Sequence, residues 1–367
     1  MNRFRFAPIA AALPATVPFT GPETLELRRG APFLARLGAN ENGFGPSPLA
    51  VEAMARSASE IWKYADPESH DLRHALAAHH GVAAENIMIG EGIDSLLGLL
   101  VRLMVAPGET VVTSAGGYPT FNYHVAGYGG VLHTVPYRDD AEDPQALCDA
   151  ARQTAARLLY FANPDNPMGS WHSGARIEAM LQDVPAGTLL ILDEAYAEFA
   201  PADAIPRIDP EDARVIRFRT FSKAYGLAGA RVGYAIGPAD LIAGFDRIRN
   251  HFGMNRSAQI GALAALADQA WLRDVVGKVA AARDHIGTIA AANGLRALPS
   301  ATNFVAVDCG RDGAYARALL AALEAQGIFI RMPGLAPMDR CIRISCGPAA
   351  DLDHLAQALP KALATLG

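Results

Sequence analysis

Short apolar runs alternate with helix-like segments from about Ser47 to Pro238. The runs predict strands at 86–89, 110–113, 131–136, 158–161, 189–192, 215–219 and 231–236. Helices are predicted between several of these strands, at 92–105, 119–128 and 176–182. Continuous apolar runs are typical of strands that are covered on both faces. The pattern therefore predicts an α/β domain built on a mostly parallel sheet.

The pattern changes after Ala239. Long alanine-rich helices are predicted at 257–268 and 272–293, and separated strands follow at 303–307, 328–331 and 341–345. Segregated elements of this kind predict a smaller α+β domain. We therefore expect three parts, which are an N-terminal arm (1–35), a large domain (36–250) and a small C-terminal domain (251–367). The arm is expected to pack on the small domain or on a partner subunit.

Composition narrows the class of protein. The 367 residues are 51% hydrophobic and carry a formal net charge of −6, and no run of Lys and Arg exceeds two residues. Nucleic-acid binding needs clustered positive charge, so we do not expect it. The four cysteines are scattered, which argues against disulfides or a metal site and fits a reducing cytoplasm. No stretch approaches the apolar length that spans a membrane.

The segment 220–234 places Lys223 directly after a predicted strand, among small residues, with Arg231 eight positions later. A lysine in water is protonated near neutral pH and cannot attack a carbonyl group. An apolar wall and neighbouring cations would lower its pKa and make the amine reactive. Arg231 and the hydroxyl of Ser222 could also bind a phosphate. Taken alone, Lys223 is more simply explained as a surface lysine.

A second segment, 188–196, is an apolar strand that ends in Asp193 and continues to Tyr196. Its carboxylate lies at the carboxyl edge of the sheet, where α/β domains build their sites. A buried carboxylate needs a cationic partner, and the protonated pyridine nitrogen of pyridoxal 5′-phosphate (PLP) is one. Tyr196 could donate a hydrogen bond to the 3′ oxygen of that ring. A magnesium ligand and a helix N-cap remain alternatives for Asp193.

Two further turns follow predicted strands. In 161–169, two prolines stiffen a turn that would present the amide of Asn166, although an ordinary proline-rich surface loop has the same pattern. In 89–95, a strand runs through glycines into a helix, whose free backbone N–H groups could bind phosphate. One parallel sheet would bring all four turns to the same edge. The alternatives given for single segments, such as a surface lysine or a surface loop, do not explain all four segments at once, whereas a shared binding site does.

On these segments the chain resembles the fold-type I PLP enzymes, and within them the histidinol-phosphate aminotransferase group. The likeness runs over nearly the whole length, and the family's Asn-Glu-Asn-Pro-x-Gly-Pro-Ser-Pro opening has its counterpart at 40–48. The resemblance implies PLP as cofactor and the large-domain and small-domain fold of that family. It also implies amino transfer from histidinol phosphate to 2-oxoglutarate, and a homodimer.

The resemblance also implies roles for individual residues. Lys223, Asp193 and Tyr196 are expected to be catalytic, with Lys223 binding the cofactor's aldehyde and Asp193 facing its ring nitrogen. The other residues expected at the cofactor are Gly92, Ile93, Asp94, Phe121, Asn166, Ser222 and Arg231, together with Tyr64, which the neighbouring subunit would lend. The residues expected at the substrate are Asn40, Arg331 and Arg343.

The chain departs from the family's pattern in several segments. Met168 replaces the usual threonine, the turn at 90–95 reads Gly-Glu-Gly-Ile-Asp-Ser, the segment 249–256 differs, and Pro348 stands where threonine is common. These departures are expected at substrate-facing loops. The alternatives are an aromatic amino acid aminotransferase, a PLP decarboxylase of the same fold, a non-catalytic PLP-binding regulator and, without PLP, a magnesium-dependent phosphotransferase.

Overall fold

The computed structural model describes residues 4–15 and 20–367, so part of the expected arm lies outside the described residues. The helices are α1 (Pro8–Ala12), α2 (Pro22–Arg29), α3 (Pro48–Ser57), α4 (His70–His80), α5 (Gly92–Met104), α6 (Pro119–Gly127), α7 (Pro144–Thr154), α8 (Gly174–Asp183), α9 (Ala239–Gly244), α10 (Arg256–Ala267), α11 (Gln269–Ala292), α12 (Gly313–Ala325) and α13 (Ala349–Ala364). The strands are β1 (Ala35–Arg36), β2 (Ile87–Gly90), β3 (Thr110–Ser114), β4 (Val131–Val135), β5 (Leu158–Ala162), β6 (Leu189–Asp193), β7 (Val215–Thr220), β8 (Gly233–Ile236), β9 (Arg296–Ala297), β10 (Phe304–Asp308), β11 (Ile328–Phe329) and β12 (Cys341–Ser345).

The large sheet has seven strands in the order β2-β8-β7-β6-β5-β3-β4. Strands β3 to β7 pair in parallel, whereas β8 is antiparallel to both of its neighbours, β7 and β2. Every strand except β8 therefore points the same way. This confirms the expected α/β fold with a mostly parallel sheet.

Helices cover both faces of the large sheet. Leu158 and Tyr160 of β5 pack with residues of α5 and α6, whereas Leu159 and Phe161 pack with residues of α7 and α8. Successive side chains of a strand point to opposite faces, so an apolar run of this kind fills two layers at once. The same alternation in β6 places Asp193 on the face of Leu189 and Ile191.

The C-terminal part is built on a small antiparallel sheet in the order β12-β10-β9, which agrees with the expected smaller α+β unit. Strand β1 pairs in parallel with β11, so the end of the arm is joined to this part of the chain. Helix α10 packs on α3 and α4. The exact boundaries at 35 and 250 remain predictions. In the described part of the chain, no helix is both long and apolar enough to cross a bilayer.

Met168 belongs to the part of the chain before residue 250 and packs against the C-terminal part. Its side chain is buried with Leu298, Ala306, Met338 and Cys341, all of which follow residue 250. The departure from the family's threonine therefore fills an apolar contact, and Met168 does not line the main cleft described below.

We expect Met168→Ala to lower the free energy of unfolding by about 2–4 kcal/mol, because truncation of a buried methionine leaves a cavity. Urea denaturation monitored by circular dichroism would measure this change. Leu27→Ala is the control, because Leu27 is 83% exposed and its truncation should cost less than about 0.5 kcal/mol. Equal losses in the two variants would contradict the packing role.

Candidate active site

A cleft of about 830 Å³ lies at the carboxyl ends of β5, β6 and β7, and the start of α5 and residues around β11 and β12 also line it. Because β8 is reversed, its amino end reaches the same edge, and Arg231 just before β8 lines the cleft. The expected site residues that line it are Asn40, Ile93, Asp94, Asn166, Asp193, Tyr196, Ser222, Lys223, Arg231, Arg331 and Arg343. The four turns singled out in the sequence thus meet at one place.

Lys223 lies in the turn after β7, and its Nζ donates to the backbone oxygen of Asn40 at 3.1 Å. Burial lowers the pKa of Lys223 to about 8, and the positive charge of Arg343 adds to this effect, with a smaller contribution from Arg231. The lowered pKa agrees with the expectation from the sequence. Arg231 contributes as expected, and Arg343 is the cation that contributes most.

Asp193 ends β6 with its side chain buried. The Tyr160 hydroxyl donates to Oδ2 at 2.6 Å and the Ala195 amide donates to Oδ1 at 2.9 Å. Burial raises the pKa of Asp193, while these two hydrogen bonds oppose the rise. Asp193 makes no salt bridge with any described residue. The carboxyl group is therefore held firmly in place beside the cleft and would gain from a cationic ligand.

Asn40 connects several site residues. Its backbone is left-handed (φ 55°), its Nδ2 donates to the Tyr196 hydroxyl at 3.2 Å, and its backbone N–H donates to Ser345 Oγ at 3.0 Å. Asn303 Nδ2 donates to the same carbonyl oxygen that accepts from Lys223. Tyr196 is thereby fixed beside Lys223, whose Nζ lies 5.6 Å from the centre of the tyrosine ring.

The start of α5 forms a cradle of backbone N–H groups. No side chain caps this helix start. Gly92 has φ +84°, and a Cβ there would lie 2.4 Å from Arg231 Nη2, so only glycine lets the arginine approach. Arg231 itself is left-handed (φ 57°), and its Nη1 lies 3.4 Å from Ser222 Oγ. Free amides, a guanidinium and a hydroxyl at a helix start are a suitable donor set for a phosphate.

Arg343 and Arg331 lie side by side. Their backbones pair across an antiparallel bridge, with Arg343 N donating to Arg331 O at 2.6 Å. Arg343 Nη1 donates to Asn166 Oδ1, while its buried Nε has no hydrogen-bond partner among the described residues. Burial lowers the pKa of Arg343 to about 10. Arg331 Nη2 donates to the backbone oxygen of Thr20 at 3.1 Å. Two desolvated guanidinium groups favour an anionic ligand at this end of the cleft.

Two expected cofactor residues lie elsewhere. Phe121 was expected to contact the cofactor ring, but it is fully buried and stacks on Tyr160 with the ring centres 4.7 Å apart. Helix α6 begins at Pro119 and turns position 121 towards Tyr160 of β5, so the contact of Phe121 with the cofactor stays a prediction. Tyr118 lines the cleft instead. Tyr64 is 79% exposed, packs on Phe252, and does not line the cleft of its own chain.

The segment 251–256 was expected to face the substrate, but none of its residues lines this cleft. Asn255 instead caps α10 through Ala258 N, and Gly253 packs so closely that a Cβ would collide with Glu91 Oε1. Sequence reasoning also missed Tyr160, which holds Asp193. The signal for Tyr160 was a phenol inside a strand of otherwise apolar side chains, on the same face as Asp193.

The chain belongs to the class I and II aminotransferase family, which residues 34–359 match. Its structure is similar to the crystal structure of a histidinol-phosphate aminotransferase from Sinorhizobium meliloti in complex with pyridoxal-5′-phosphate, with a TM-score of 0.96, 56% identity, and coverage of 99% of this chain and 98% of that one.

Curated relatives carry the same description. Histidinol-phosphate aminotransferase 1 of Mesorhizobium japonicum is 36% identical over 92% of this chain and 93% of that protein. The histidinol-phosphate aminotransferase of Moorella thermoacetica is 33% identical over 93% of this chain and 89% of that protein. The resemblance found in the sequence is thereby confirmed.

We expect Arg343→Gln to raise the pKa of Lys223, because it removes the cation that contributes most to lowering it. The pKa would be measured on cofactor-free protein from the pH dependence of Lys223 acetylation by acetic anhydride, followed by mass spectrometry. Arg231→Gln is the matched comparison and should raise the pKa less. A larger effect of Arg231→Gln would contradict this order of influence.

Proposed function

We propose that this chain is a PLP-dependent aminotransferase that transfers the amino group of histidinol phosphate to 2-oxoglutarate. The single observation that carries the proposal is the cleft in which a buried lysine of lowered pKa, a buried acid and a phosphate-binding helix start converge. Its family and its histidinol-phosphate aminotransferase relatives support the same activity.

The residues present fit PLP. The uncapped start of α5, with Ser222 and Arg231, would hold the phosphate. Asp193, as a carboxylate, would accept a hydrogen bond from the protonated ring nitrogen, which would supply the cationic partner that favours the charged form of this buried group. Asn166 and Tyr196 would bind the 3′ oxygen, and Tyr118 would replace Phe121 beside the ring. When bound, PLP supplies an electron sink for the electrons of the bond broken at the substrate's α carbon.

Lys223 is the proposed proton carrier. With a pKa of about 8, a useful fraction of its Nζ is neutral near neutral pH and can accept a proton from the substrate's α carbon. The Asn40 carbonyl holds Nζ on the cleft side of Tyr196. Arg343 and Arg331 would bind the anionic end of each substrate, which is a carboxylate in 2-oxoglutarate and a phosphate in histidinol phosphate.

One observation favours the aromatic alternative. The cleft wall near Arg331 also contains Leu25, Leu320, Met332 and Leu335, which suit an aromatic ring as well as an imidazole. A panel of amino donors scored by glutamate formation with 2-oxoglutarate would separate the two. Faster turnover of phenylalanine or tyrosine than of histidinol phosphate would favour the aromatic function.

We expect Arg331→Ala to weaken turnover of histidinol phosphate more than turnover of phenylalanine. Loss of a hydrogen bond to a charged group costs about 1.5–3 kcal/mol, which corresponds to a fall of about 10- to 100-fold in kcat/KM. Arg56→Ala is the control, because the Arg56 side chain is 67% exposed and, in the part of the chain that the structure describes, pairs only with Glu52 on its own helix. Equal losses of kcat/KM for the two amino donors would show that Arg331 does not recognise the substrate phosphate.

We expect Asp193→Asn to retain PLP but to lower kcat by about 10- to 100-fold, since a neutral amide cannot hold the charge of a protonated ring. Absorbance of the bound cofactor and steady-state kinetics would measure the two effects. Asp203→Asn, at an exposed position, should change neither. Full activity in Asp193→Asn would contradict the assignment.

A homodimer with shared sites is also proposed. Ile61, Trp62, Tyr64 and Phe252 are large apolar side chains exposed close together in sequence or space. An exposed aromatic group of this kind is typical of an interface. Tyr64 would then reach the phosphate of the neighbouring subunit. The proposed compartment is the cytoplasm, which the four buried, unpaired cysteines support.

Hybrid dimers would test the sharing of sites. We expect Tyr64→Ala to weaken PLP binding about fivefold, the effect of losing one hydrogen bond. Co-expression with Lys223→Ala chains should produce hybrids in which the intact Lys223 faces an intact Tyr64, with wild-type affinity at that site. If Tyr64 acted within its own chain, the site with the intact lysine would stay weak. A monomer in light scattering would exclude the sharing altogether.

A further inference from the structure

Two buried acids lie behind the wall of the cleft. Glu142 and Asp165 are each 2% exposed. A Cβ on Gly117, which lines the cleft, would stand 3.6 Å from Glu142 Oε1 and 3.8 Å from the Tyr137 hydroxyl. Asp165 directly precedes Asn166, the residue that contacts Arg343. Asp165 is therefore adjacent in sequence to a residue at the anion-binding end of the cleft.

Glu142 ties three segments together. Its Oε2 accepts from Ala162 N at 2.9 Å, at the last residue of β5, and its backbone oxygen lies 2.8 Å from His172 Nε2. The chain just before it forms a tight turn in which Arg138 pairs with Ala141. Glu142 therefore fixes the strand end from which the loop carrying Asn166 departs.

The two acids differ in their hydrogen bonds. Asp165 accepts from the Tyr137 hydroxyl at 2.7 Å and from Met168 N at 3.1 Å, so each of its oxygens has a donor. Glu142 Oε1 is buried and has no hydrogen bond of normal geometry to any described residue, and the Ser114 hydroxyl, which acts on this acid, has none either. A buried carboxylate oxygen without a donor is unfavourable, whereas a protonated Oε1 could donate its hydrogen to Ser114 Oγ.

The electrostatic environment also favours a neutral Glu142. Neither acid forms a salt bridge among the described residues, and two neighbouring buried carboxylates cannot both ionise without a cation. The negative charges of Asp165 and Asp193 favour the neutral form of Glu142, while hydrogen bonds from Ala162 N and the Ser114 hydroxyl oppose this effect. Arg343 acts on Asp165 and favours its charged form. Burial and Asp165 raise the pKa of Glu142 well above its usual range, and burial raises that of Asp165 to about 7.

We propose that Glu142 is a positioning residue that works as a neutral carboxylic acid, holding the end of β5 so that Asn166 keeps Arg343 aimed into the cleft. The proton stays on Glu142 and the negative charge on Asp165, which faces Arg343. A second negative charge at Glu142 would compete with the substrate anion for that arginine. This role rests on the proposed function, in which Arg343 binds the anionic end of the substrate.

Infrared spectroscopy of the holoenzyme tests the protonation directly. We expect the wild type to show a C=O stretching band of a protonated carboxylic acid that is missing in Glu142→Gln. Glu198→Gln is the matched control, because Glu198 is another buried acid with an unpartnered oxygen, and its loss should leave the Glu142 band in place. No difference between wild type and Glu142→Gln would overturn the proposal.

Kinetics test the positioning. Glu142→Gln keeps an acceptor for Ala162 N and should leave the KM for 2-oxoglutarate within about twofold of the wild type, whereas Glu142→Leu removes the acceptor and should raise it about fivefold with little change in kcat. Equal impairment in the two variants, or an effect on kcat alone, would refute the role. The infrared result does not depend on the amino donor, so an error in the proposed substrate would leave it unchanged.

Discussion

The whole site depends on positive charge that faces the cleft without a salt bridge to any described carboxylate. Lys223, Arg231 and Arg343 line the cleft, burial acts on Lys223 and Arg343, and Arg343 Nε has no hydrogen-bond partner among the described residues. Cations that are removed from water repel one another and are costly until an anion reaches them. The cleft is therefore selective for ligands with phosphate or carboxylate groups at defined positions. The same repulsion and burial lower the pKa of Lys223, so anion binding and the reactivity of the amine have one physical origin.

Much of the fold could be predicted because the sheet is buried on both faces. Strands such as 158–161 and 189–192 were found within one residue at each end, since helices on both sides require uninterrupted apolar runs. The reversal of β8 could not be predicted, because an antiparallel strand inside a covered sheet has the same composition as its parallel neighbours. Helix α7 was missed because Asp143, its N-cap, reads as part of an acidic loop.

The site was predictable where chemistry follows directly after a strand, as at Asp193 and Lys223. The sequence does not show how a helix is rotated, and this rotation decides that Tyr118, and not Phe121, lines the cleft. The sequence also did not point to Glu142, which is distant in sequence from every motif and is connected to the site by the hydrogen bond that it accepts from Ala162 N. Tertiary contacts of this kind leave no periodic pattern in the sequence.

The reversed strand has a consequence for how this protein can vary. Strand β7 ends at the edge of the sheet that carries the site, and β8 begins at the same edge, so residues 221–232 form a loop between neighbouring strand ends. Phe221 N donates to Val232 O at 3.0 Å and Leu227 N donates to Phe221 O at 2.9 Å, and these hydrogen bonds close the loop. The number of residues in this loop sets the spacing between the Lys223 amine and the Arg231 guanidinium. An inserted residue could not be absorbed by sliding either strand, since a shift of one position would turn every side chain of that strand to the other face. Substitutions that keep Ser222, Lys223 and Arg231 leave this spacing unchanged, whereas a change in the length of the loop alters it.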